Sequence, residues 1–299
     1  MSYHAETSDI NIPNIDRLAQ HLTQLAEQYN IKSWCLAFSG GVDSQVLLHL
    51  LHRTKLNVLA IYIDHGLQVE SAHWAKHCEQ QCQQLNVPFR VIRVNAQPQK
   101  GEGPEAAARN ARYGAFKAII QTDMCLLTAQ HQQDQAETVL LQLLRGGGAA
   151  GLAGMPQIAS FAQGWHARPL LNVSQQSILN YAQKNKLNWV EDPSNQQQSY
   201  QRNFLRLSVI PLLEQRWPAL SKTLSVFSGQ QAENSRLLEE LAEIDLQQAQ
   251  IEKNQLDIKV LRTLDNARLR NALRYWFRVC GSTIPSRSVL QQIVEQMIE

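Results

Sequence analysis

A Ser-Gly-Gly corner between an apolar run and a helical pattern constrains the fold of this chain more than any other feature. The run Trp34–Phe38 is typical of a buried strand, and a helix is predicted to begin near Asp43. Between them, Ser39–Ser44 has the sequence S-G-G-V-D-S. Adjacent glycines permit positive φ angles and turn successive N–H groups to one side, where the helix N-terminus adds free donors. We therefore predict a phosphate-binding corner; the plainer alternative is a capped strand–helix turn.

Three side chains of this corner fit a phosphate ligand. The hydroxyls of Ser39 and Ser44 can donate hydrogen bonds to phosphate oxygens. The Asp43 carboxylate is better suited to a metal ion that the phosphates carry.

Strand and helix patterns alternate through the first half of the chain. The further apolar runs are Asn57–Ile63, Phe89–Val94 and Met124–Ala129, and the further helical patterns are Ile15–Tyr29, Ser71–Leu85, Pro104–Ile120 and Asp134–Leu144. This alternation predicts an α/β fold with a doubly wound, mostly parallel sheet. Because ligands of such sheets bind beyond the carboxyl ends of the strands, we expect Ser39, Asp64 and His131 on one rim.

The alternation stops after Gly146, which predicts a second, smaller and mainly helical domain. The glycine-rich segment Gly146–Leu152 satisfies G-x-G-x-x-G but follows a helix, and Leu152 occupies the position where a Walker loop has lysine, so we predict a flexible loop. We place the domain boundary at Pro218, giving domains of residues 1–217 and 218–299. The second domain is predicted to contain a long helix Leu220–Glu252, a lone strand Leu256–Val260 and helices Leu269–Val279 and Ser286–Ile298.

Composition limits the function classes. A chain of 299 residues fits two domains, and a net charge of +2 imposes no strong global attraction to nucleic acid, so such a partner must use local patches. Five scattered cysteines without a C-x-x-C pair are typical of reduced thiols in a cytoplasmic protein and argue against a metal or redox site. No signal peptide or membrane-spanning run is present.

Charged residues on predicted helix faces are candidate binding residues. Glu105, Arg109 and Arg112 share one face, which can bind an amino acid and a phosphate or simply carry an exposed ion pair. Arg202 and Arg206 lie one turn apart on another helix. A further arginine set, with aromatic neighbours, suits an RNA backbone and unstacked bases or forms a solvated face. That set comprises Arg268, Arg270, Arg274 and Arg278.

His131 and the two acids that follow it form another candidate group. His131 comes directly after a predicted buried strand, where it either caps and packs the next helix or stabilises charge beside a phosphate. Asp134 and Glu137 lie on one face of that helix, where they either help to bind a cation or compensate the helix dipole.

These strings resemble the N-type ATP pyrophosphatases of the PP-loop superfamily and, within it, the tRNA(Ile)-lysidine synthetase family. Ser39–Ser44 is similar to the PP-loop itself. The other similar strings, in chain order, are Asp64–Leu67, Gly103–Tyr113, Gln130–Thr138 with Leu144–Gly148, and Glu191–Asn195 with Arg202, Asn203 and Arg206. From Leu220 onward the similarity is one of outline. The last helical pattern stops without a cap, so we expect a further C-terminal portion, such as the additional tRNA-binding domain of many members, to be missing.

The resemblance implies an ATP-dependent ligation in two steps. The O2 atom of the wobble cytidine in isoleucine tRNA with a CAU anticodon attacks the α-phosphate of ATP, and pyrophosphate leaves. The ε-amino group of free L-lysine then displaces AMP at C2 and gives lysidine. Magnesium accompanies the ATP.

The resemblance also implies roles for the candidate residues. ATP contacts fall to Ser39, Gly40, Gly41, Val42, Asp43, Ser44, Asp64 and His65. Asp43 is implied as the magnesium ligand, and Asp43 and His131 as catalytic residues. The candidates for lysine and cytidine contacts are Glu105, Arg109, Arg112, Asp134, Glu137, Arg202 and Arg206. The loop Gly146–Gly154 is expected to close over the site.

Two other functions are compatible with the same corner. One is another PP-loop tRNA-modifying enzyme such as a thiolase, which would need paired cysteines near the site for persulfide or cluster chemistry. The other is a non-catalytic module that binds adenine nucleotides and has no need for Asp43, His131 and the Arg202–Arg206 pair together.

Overall fold

A mostly parallel sheet organises the first part of the chain in the computed structural model, which describes residues 17–54, 56–66, 71–101, 103–198, 200–252 and 255–298. Its strands are β1 (Ser33–Ala37), β2 (Val58–Asp64), β3 (Phe89–Arg93), β4 (Met124–Leu127), β5 (Ile158–Phe161) and β6 (Gly164–Ala167). The helices up to residue 216 are α1 (Leu18–Gln28), α2 (Val42–His52), α3 (Ser71–Gln84), α4 (Pro104–Lys117), α5 (Gln132–Leu144), α6 (Ala149–Leu152), α7 (Gln175–Lys184), α8 (Gln201–Phe204) and α9 (Ile210–Arg216). Two positions named in the sequence analysis lie outside the described residues: Ile15, the predicted start of the first helix, and Leu67, the last residue of the string Asp64–Leu67.

The strand order creates a crevice at the centre of the sheet. Among the described residues the order is β3-β2-β1-β4-β6-β5, with parallel pairing throughout except between β5 and β6. The chain runs outward from β1 to β3 and then returns to β4 on the other side of β1. Such a reversal opens a crevice at the carboxyl ends of the two central strands, and ligands of α/β sheets bind there. The fold predicted from the alternation is confirmed.

Both faces of the sheet are buried. On β1, Trp34 and Leu36 belong to one apolar cluster, which includes residues of α1, α2, α3 and α7. Cys35, between them in sequence, belongs to a second cluster with Phe116 and Ile120. Because successive side chains of a strand point to opposite faces, helices must cover both sides of the sheet.

The sheet has two more strands than the sequence pattern predicted, since the hairpin β5–β6 was not predicted. Each of these strands has only four residues, and β6 begins with a glycine, which is poorly represented in strands. The structure explains that glycine: a Cβ at Gly164 would lie 2.3 Å from the carbonyl oxygens of both Gln121 and Met124. The segment predicted as a flexible glycine-rich loop also differs, since its second half forms the helical turn α6.

Contacts within the chain define two compact units. The first contains the described residues of Met1–Arg145 together with Gly154–Val226, and the second contains those of Phe227–Glu299 together with Gly146–Ala153. The elements from residue 220 onward are α10 (Leu220–Ala249), β7 (Gln250–Glu252), β8 (Gln255–Leu256), α11 (Ile258–Leu261), α12 (Asn266–Val279) and α13 (Arg287–Ile298). Helix α10 begins at Leu220, two residues after Pro218, and the domain boundary at Pro218 stays a prediction.

Two expectations for this region were wrong. The predicted lone strand Leu256–Val260 is instead the end of a β7–β8 hairpin followed by α11, because Asp257 caps a helix there with its side chain. Helical spacing predicts Leu237 and Leu238 on the apolar side of α10. This is also wrong: both are exposed, whereas Ala242, Leu246 and Ala249 are buried. No helix among the described residues has both the length and the apolar character that crossing a membrane requires.

Candidate active site

The phosphate-binding corner predicted from the sequence lies at the carboxyl end of β1. Gly40 has a φ of 80°, and a Cβ there would lie 2.8 Å from Sγ of Cys78 on α3. A side chain at this position would therefore strain the backbone and collide with the helix beneath it. The carbonyl of Gly40 accepts a hydrogen bond of 2.9 Å from the N–H of Val190, which holds the corner from its other side. No sequence signal had pointed to Cys78 or Val190.

The first turn of α2 is arranged to receive an anion. Gly41 precedes α2 in an extended conformation and has no side chain to cap the N–H groups of the first helical turn. The Gly41 N–H itself donates to the Ser39 hydroxyl at 3.4 Å. The Ser44 hydroxyl lies 3.0 Å from the carbonyl oxygen of Gly41 and 3.1 Å from the Ser39 hydroxyl. Free N–H groups, the positive end of the helix dipole and two adjacent hydroxyls thus share one concave surface.

Asp43 carries an unsatisfied carboxylate oxygen. Its Oδ1 is buried and has no hydrogen-bond partner among the described residues, although 34% of the side chain is exposed. Burial raises the pKa of Asp43, and the nearby Asp134 carboxylate adds to this rise, outweighing the opposite effects of His131 and Arg206. A buried carboxylate that lacks donors is suited to a cation.

His131 caps helix α5 and also faces the corner. Its Nδ1 accepts a hydrogen bond of 3.2 Å from the N–H of Gln133, and Asp134 completes a capping box by accepting from the His131 N–H at 2.9 Å. Because Nδ1 is an acceptor, the neutral ring carries its proton on Nε2. That nitrogen lies 3.7 Å from Oδ1 of Asp43 and 3.5 Å from Oδ2 of Asp134. The capping and functional interpretations therefore apply to the same residue.

Asp134, Glu137, Arg202 and Arg206 form one ionic network. Glu137 is fully buried, and its two carboxylate oxygens accept hydrogen bonds of 2.6 Å from the Nε atoms of Arg202 and Arg206. Both guanidiniums also reach Oδ1 of Asp134, at 3.2 and 3.0 Å. Burial favours the neutral acid, yet His131 and the two guanidiniums hold the pKa of Asp134 below its usual value. Two acids and two arginines thus neutralise one another and tie α5 to α8.

The helix that carries these arginines is interrupted. A π-helical turn, Leu205–Val209, separates α8 from α9, and Pro211 lies in the first turn of α9. Proline has no N–H for the carbonyl four residues earlier, so regular α-helical bonding cannot continue through it. Single π turns recur at functional sites, and Arg206 lies within this one.

The face of α4 predicted to bind a ligand is exposed. Glu105 and Arg109 form no ion pair in the described structure; the Arg109 guanidinium instead lies over the Tyr113 ring, 4.8 Å from its centre. The Arg112 side chain reaches solvent, yet crowding by surrounding protein atoms, together with the guanidiniums of Arg109 and Arg202, lowers its pKa. Arg112 is therefore close enough to Arg202 for α4 to flank the ionic network.

Asp64 and His65 end strand β2, beside the corner. Asp64 accepts a hydrogen bond of 2.9 Å from the Gly66 N–H and lies 3.7 Å from Nε of Arg93. Nδ1 of His65 is buried without a partner among the described residues. Burial, together with Arg112, lowers the pKa of His65, so the ring is neutral at physiological pH. The influence of Arg112 on His65 shows that this part of the rim lies close to α4.

Most arginines of the predicted basic set on α12 are paired. Arg268 bonds to Asp245, Arg278 lies 2.6 Å from Glu239, and Arg270 donates to Gln291 at 3.1 Å. Arg274 is exposed. The solvated-face interpretation therefore fits most of this set within the second unit.

Two family models match the chain. One is described as a PP-loop domain and matches residues 15–213, about two thirds of the chain. The other is described as the TilS substrate binding domain and matches residues 256–299.

Curated relatives named tRNA(Ile)-lysidine synthase are similar to most of the chain, which confirms the resemblance noted in its sequence. The relative from Proteus mirabilis (strain HI4320) is 44% identical over 268 residues, covering 88% of this chain and 60% of its own length. The relative from Pseudomonas fluorescens (strain Pf0-1) is 43% identical over 276 residues, covering 88% and 62%. This chain therefore spans about three fifths of the length of these relatives.

A solved structure shares the fold. The U34-tRNA thiolase NcsA from Methanococcus maripaludis, with its 4Fe-4S cluster, superposes with a TM-score of 0.60 over 73% of this chain and 77% of its own. The two sequences are only 15% identical, so this likeness concerns the fold alone.

Proposed function

The chain belongs to the PP-loop domain family, and from this premise we propose that it is a tRNA-modifying ligase that uses ATP. Its reaction joins free L-lysine to C2 of the wobble cytidine of isoleucine tRNA with a CAU anticodon. The cytidine O2 first attacks the α-phosphate of ATP and releases pyrophosphate. The lysine ε-amino group then displaces AMP to give lysidine. The names of the curated relatives support this reaction.

The corner would hold the phosphates that leave. The N–H groups at the start of α2 and the hydroxyls of Ser39 and Ser44 present donors to the pyrophosphate portion of ATP. The N–H groups are fixed before ATP binds, so they can stabilise charge that builds on pyrophosphate without further rearrangement. The Ser44 hydroxyl donates to the Gly41 carbonyl in the ligand-free structure and would turn to reach a phosphate oxygen. Asp64 and His65 flank the same rim and are the candidates for contacts to the rest of the nucleotide.

A magnesium ion fits the residues present. The buried and unpartnered Oδ1 of Asp43 is an oxygen ligand of the kind this cation prefers, and magnesium commonly binds one protein carboxylate together with substrate phosphates. When bound, it would neutralise phosphate charge. Asp43 is therefore our proposed magnesium ligand.

His131 is our proposed stabiliser of the α-phosphate. Nε2 lies 3.7 Å from Oδ1 of Asp43, which belongs to the corner, and 3.5 Å from Oδ2 of Asp134, which belongs to the helix that His131 caps. A phosphate oxygen near that nitrogen would accept its hydrogen bond, which would stabilise the negative charge that develops as the bond to pyrophosphate breaks.

The ionic network and the face of α4 would bind lysine and the cytidine. Asp134 and Glu137 can attract an ammonium group, and Arg202 and Arg206 can bind phosphate or carboxylate. Glu105, Arg109 and Arg112 offer the same two charges on a neighbouring surface. In the ligand-free arrangement the network residues satisfy one another, so ligand binding would exchange some of these bonds.

The remaining parts of the proposal concern partners. Residues 256–299, which match the substrate-binding model, would contribute to tRNA binding. We expect the protein to act in the cytoplasm, where its tRNA substrate is found.

The observation that best supports this function is the joint position of the corner and His131 on the two central strands, β1 and β4. A thiolase is disfavoured by the cysteines. Burial raises the pKa of the thiols of Cys35, Cys78, Cys82 and Cys125 to about 12, so they are not thiolates at neutral pH. No cluster of metal-binding side chains occurs among the described residues.

The test supplies the protein with ATP, magnesium, labelled L-lysine and total tRNA. We expect label in one isoleucine tRNA and pyrophosphate release that requires that tRNA. ATP binding without release of pyrophosphate would favour the non-catalytic module. Transfer of sulfur instead of lysine would identify a thiolase.

His131→Asn sharpens this test, because asparagine is a good helix cap but lacks the imidazole. We expect a loss of about a hundred-fold or more in pyrophosphate release, the scale of positioned acid–base groups, with thermal stability retained. The exposed His52→Asn on α2 is the matched control. Equal activity of the two variants would contradict the role of His131.

A further inference from the structure

A chain of buried polar groups lies under the rim, next to the proposed catalytic histidine. Nη2 of Arg168 lies 3.2 Å from Nδ1 of His166, and Nε2 of His166 lies 2.7 Å from the Thr128 hydroxyl. The Thr128 hydroxyl in turn bonds to Oε1 of Gln130. Arg168, His166 and Thr128 are all more than nine-tenths buried.

Arg168 sets the direction of each hydrogen bond in this series of buried groups. A guanidinium can only donate, so Nδ1 of His166 must accept and the ring proton must be on Nε2. His166 therefore donates to the Thr128 hydroxyl, whose single proton is left for Gln130. Burial and the adjacent Arg168 lower the pKa of His166 to about 3, so this tautomer persists through the physiological range.

The consequence reaches the Gln130 side chain. Because Thr128 donates to it, the contacted Gln130 atom must be the amide oxygen, and the amide cannot rotate without breaking that bond. Its Nε2 group is therefore held as a pair of donors. This group makes no hydrogen bond to the described residues.

Gln130 lies next to the proposed catalytic histidine. It immediately precedes His131, beyond the carboxyl end of β4. Through Thr128 it is linked to His166, whose ring lies 5.9 Å from the ring of Tyr113 on α4, and Arg109 covers Tyr113. The free donors of Gln130 thus belong to the same rim as His131, and α4 lies close to the groups that hold them.

We propose that Gln130 contacts the target pyrimidine of the tRNA and selects cytidine, with Thr128, His166 and Arg168 as the residues that fix its orientation. The inference rests on the proposed function, whose substrate it specifies. Cytosine presents an unprotonated acceptor at N3, which matches an N–H donor of Gln130 and leaves O2 for the attack on the α-phosphate. Uracil carries a proton on N3, so it would place a donor against a donor. A freely rotating amide would accept either base.

The experiment compares binding of two RNA anticodon stem-loops, one with a CAU loop and one with a UAU loop, to the whole chain. We expect tighter binding of the CAU loop, by about ten-fold, which is the order expected for one hydrogen bond. Gln130→Ala and Thr128→Val should each bring the two affinities to near equality. Thr128→Ser keeps the hydroxyl and should keep the preference. The double variant should lose nothing beyond Gln130→Ala, because both changes remove one interaction.

Independent measurements separate this inference from the proposed function and from misfolding. Nitrogen-15 spectra should show a neutral His166 ring with its proton on Nε2 from pH 5 to pH 8, because the pKa of about 3 keeps the ring neutral and the Arg168 contact selects the tautomer. Thermal unfolding checks each variant, and Gln130 is only half-buried, so Gln130→Ala is expected to fold. Lysine incorporation by the unaltered chain tests the ligase itself.

The results that overturn the inference are definite. A wild-type chain without preference for the CAU loop, or Gln130→Ala with the preference intact, refutes base contact by Gln130. Loss of preference in Gln130→Ala but not in Thr128→Val refutes the orienting role of Thr128. A preference that persists when lysine is not incorporated would sustain the inference and refute the ligase.

Discussion

At the scale of single residues, Gly40 is constrained both by its backbone angle and by the thiol beneath it. Gly40→Ala must hold a side chain at a φ of 80° and displace Cys78. We expect a loss of roughly 1–3 kcal/mol in the free energy of unfolding from backbone strain, with weaker ATP binding. Urea denaturation and calorimetric titration with ATP measure the two effects.

Gly41→Ala provides the control for that prediction. A Cβ at Gly41 would lie 3.6 Å from the Ser39 hydroxyl, an ordinary contact, and its φ of −71° suits any residue. Its stability should stay within about 0.5 kcal/mol of the wild type. If both alanines destabilised the protein equally, the special constraint on Gly40 would be disproved.

The ionised carboxylate of Asp43 is predicted to lower the stability of the ligand-free protein, although it serves to bind a cation. Burial raises its pKa, so the folded chain holds this proton more tightly than the unfolded chain, whose value is near 3.8. The stabilising contribution of the protonated form is complete below that value and is lost as the pH rises through the folded pKa. We therefore expect Asp43→Asn to melt at a higher temperature than the wild type at neutral pH without ligands.

The same variant tests the magnesium proposal. ATP with magnesium should raise the melting temperature of the wild type, and Asp43→Asn should lose most of this gain. Asp123→Asn, which removes a half-exposed partner of Lys32, is the control and should keep it. An undiminished gain in Asp43→Asn would show that another group binds the cation.

At the scale of elements, Glu137 joins α5 to the interrupted helix that carries two arginines. Glu137→Gln leaves those guanidiniums facing a neutral amide in a buried position. Removing one partner of a buried pair is strongly destabilising, so we expect a loss of about 3–5 kcal/mol. Chemical denaturation at neutral pH measures it.

The surface pair Arg236–Glu240 offers the contrast on α10. Its atoms lie 3.0 Å apart, but both side chains are about half exposed. Glu240→Gln should therefore change stability by less than about 1 kcal/mol. Comparable losses in the two variants would mean that the α5 network is not a buried one in solution.

The elements that could be predicted from the sequence share a physical cause. Strands β1 to β4 are apolar runs bounded by polar turns, and they were placed within about two residues, the usual uncertainty of element ends. Strands β5 and β6 were missed because four residues give no reliable alternation, and Gly164 is explained only by close carbonyls in space. The exposed Leu237 shows the converse: spacing alone does not reveal which face of α10 meets a core.

At the scale of the whole molecule, the site could be predicted wherever chain topology brings residues together. The doubly wound order places His131 beside Asp43, as the rim argument expected. The pairing of Arg202 and Arg206 with acids of α5 depends on how α8 packs, which no periodicity encodes. The same holds for the chain from Arg168 to Gln130, since β6 was not predicted.

Each unit also contains its own apolar core. In the first unit, two clusters cover the faces of the sheet, and in the second, Leu269, Leu273 and Leu290 pack with their neighbours. The two family matches also fall on different units: the PP-loop match ends at residue 213, and the substrate-binding match begins at residue 256, within the second unit. ATP binding and tRNA binding should therefore be separable.

A chain shortened to Met1–Val226 tests this separation, because it keeps the corner, His131 and the ionic network but removes α12. We expect it to unfold cooperatively and to bind ATP with unchanged affinity, whereas its affinity for tRNA should fall at least ten-fold. Arg274→Ala in the whole chain is the milder comparison. If this exposed arginine contacts a tRNA phosphate, its loss should weaken tRNA binding slightly. The salt dependence of the tRNA binding constant should then become shallower by about one charge. Full tRNA affinity in the shortened chain would place all tRNA contacts in the first unit. Non-cooperative unfolding of that chain would show instead that the first core needs the second.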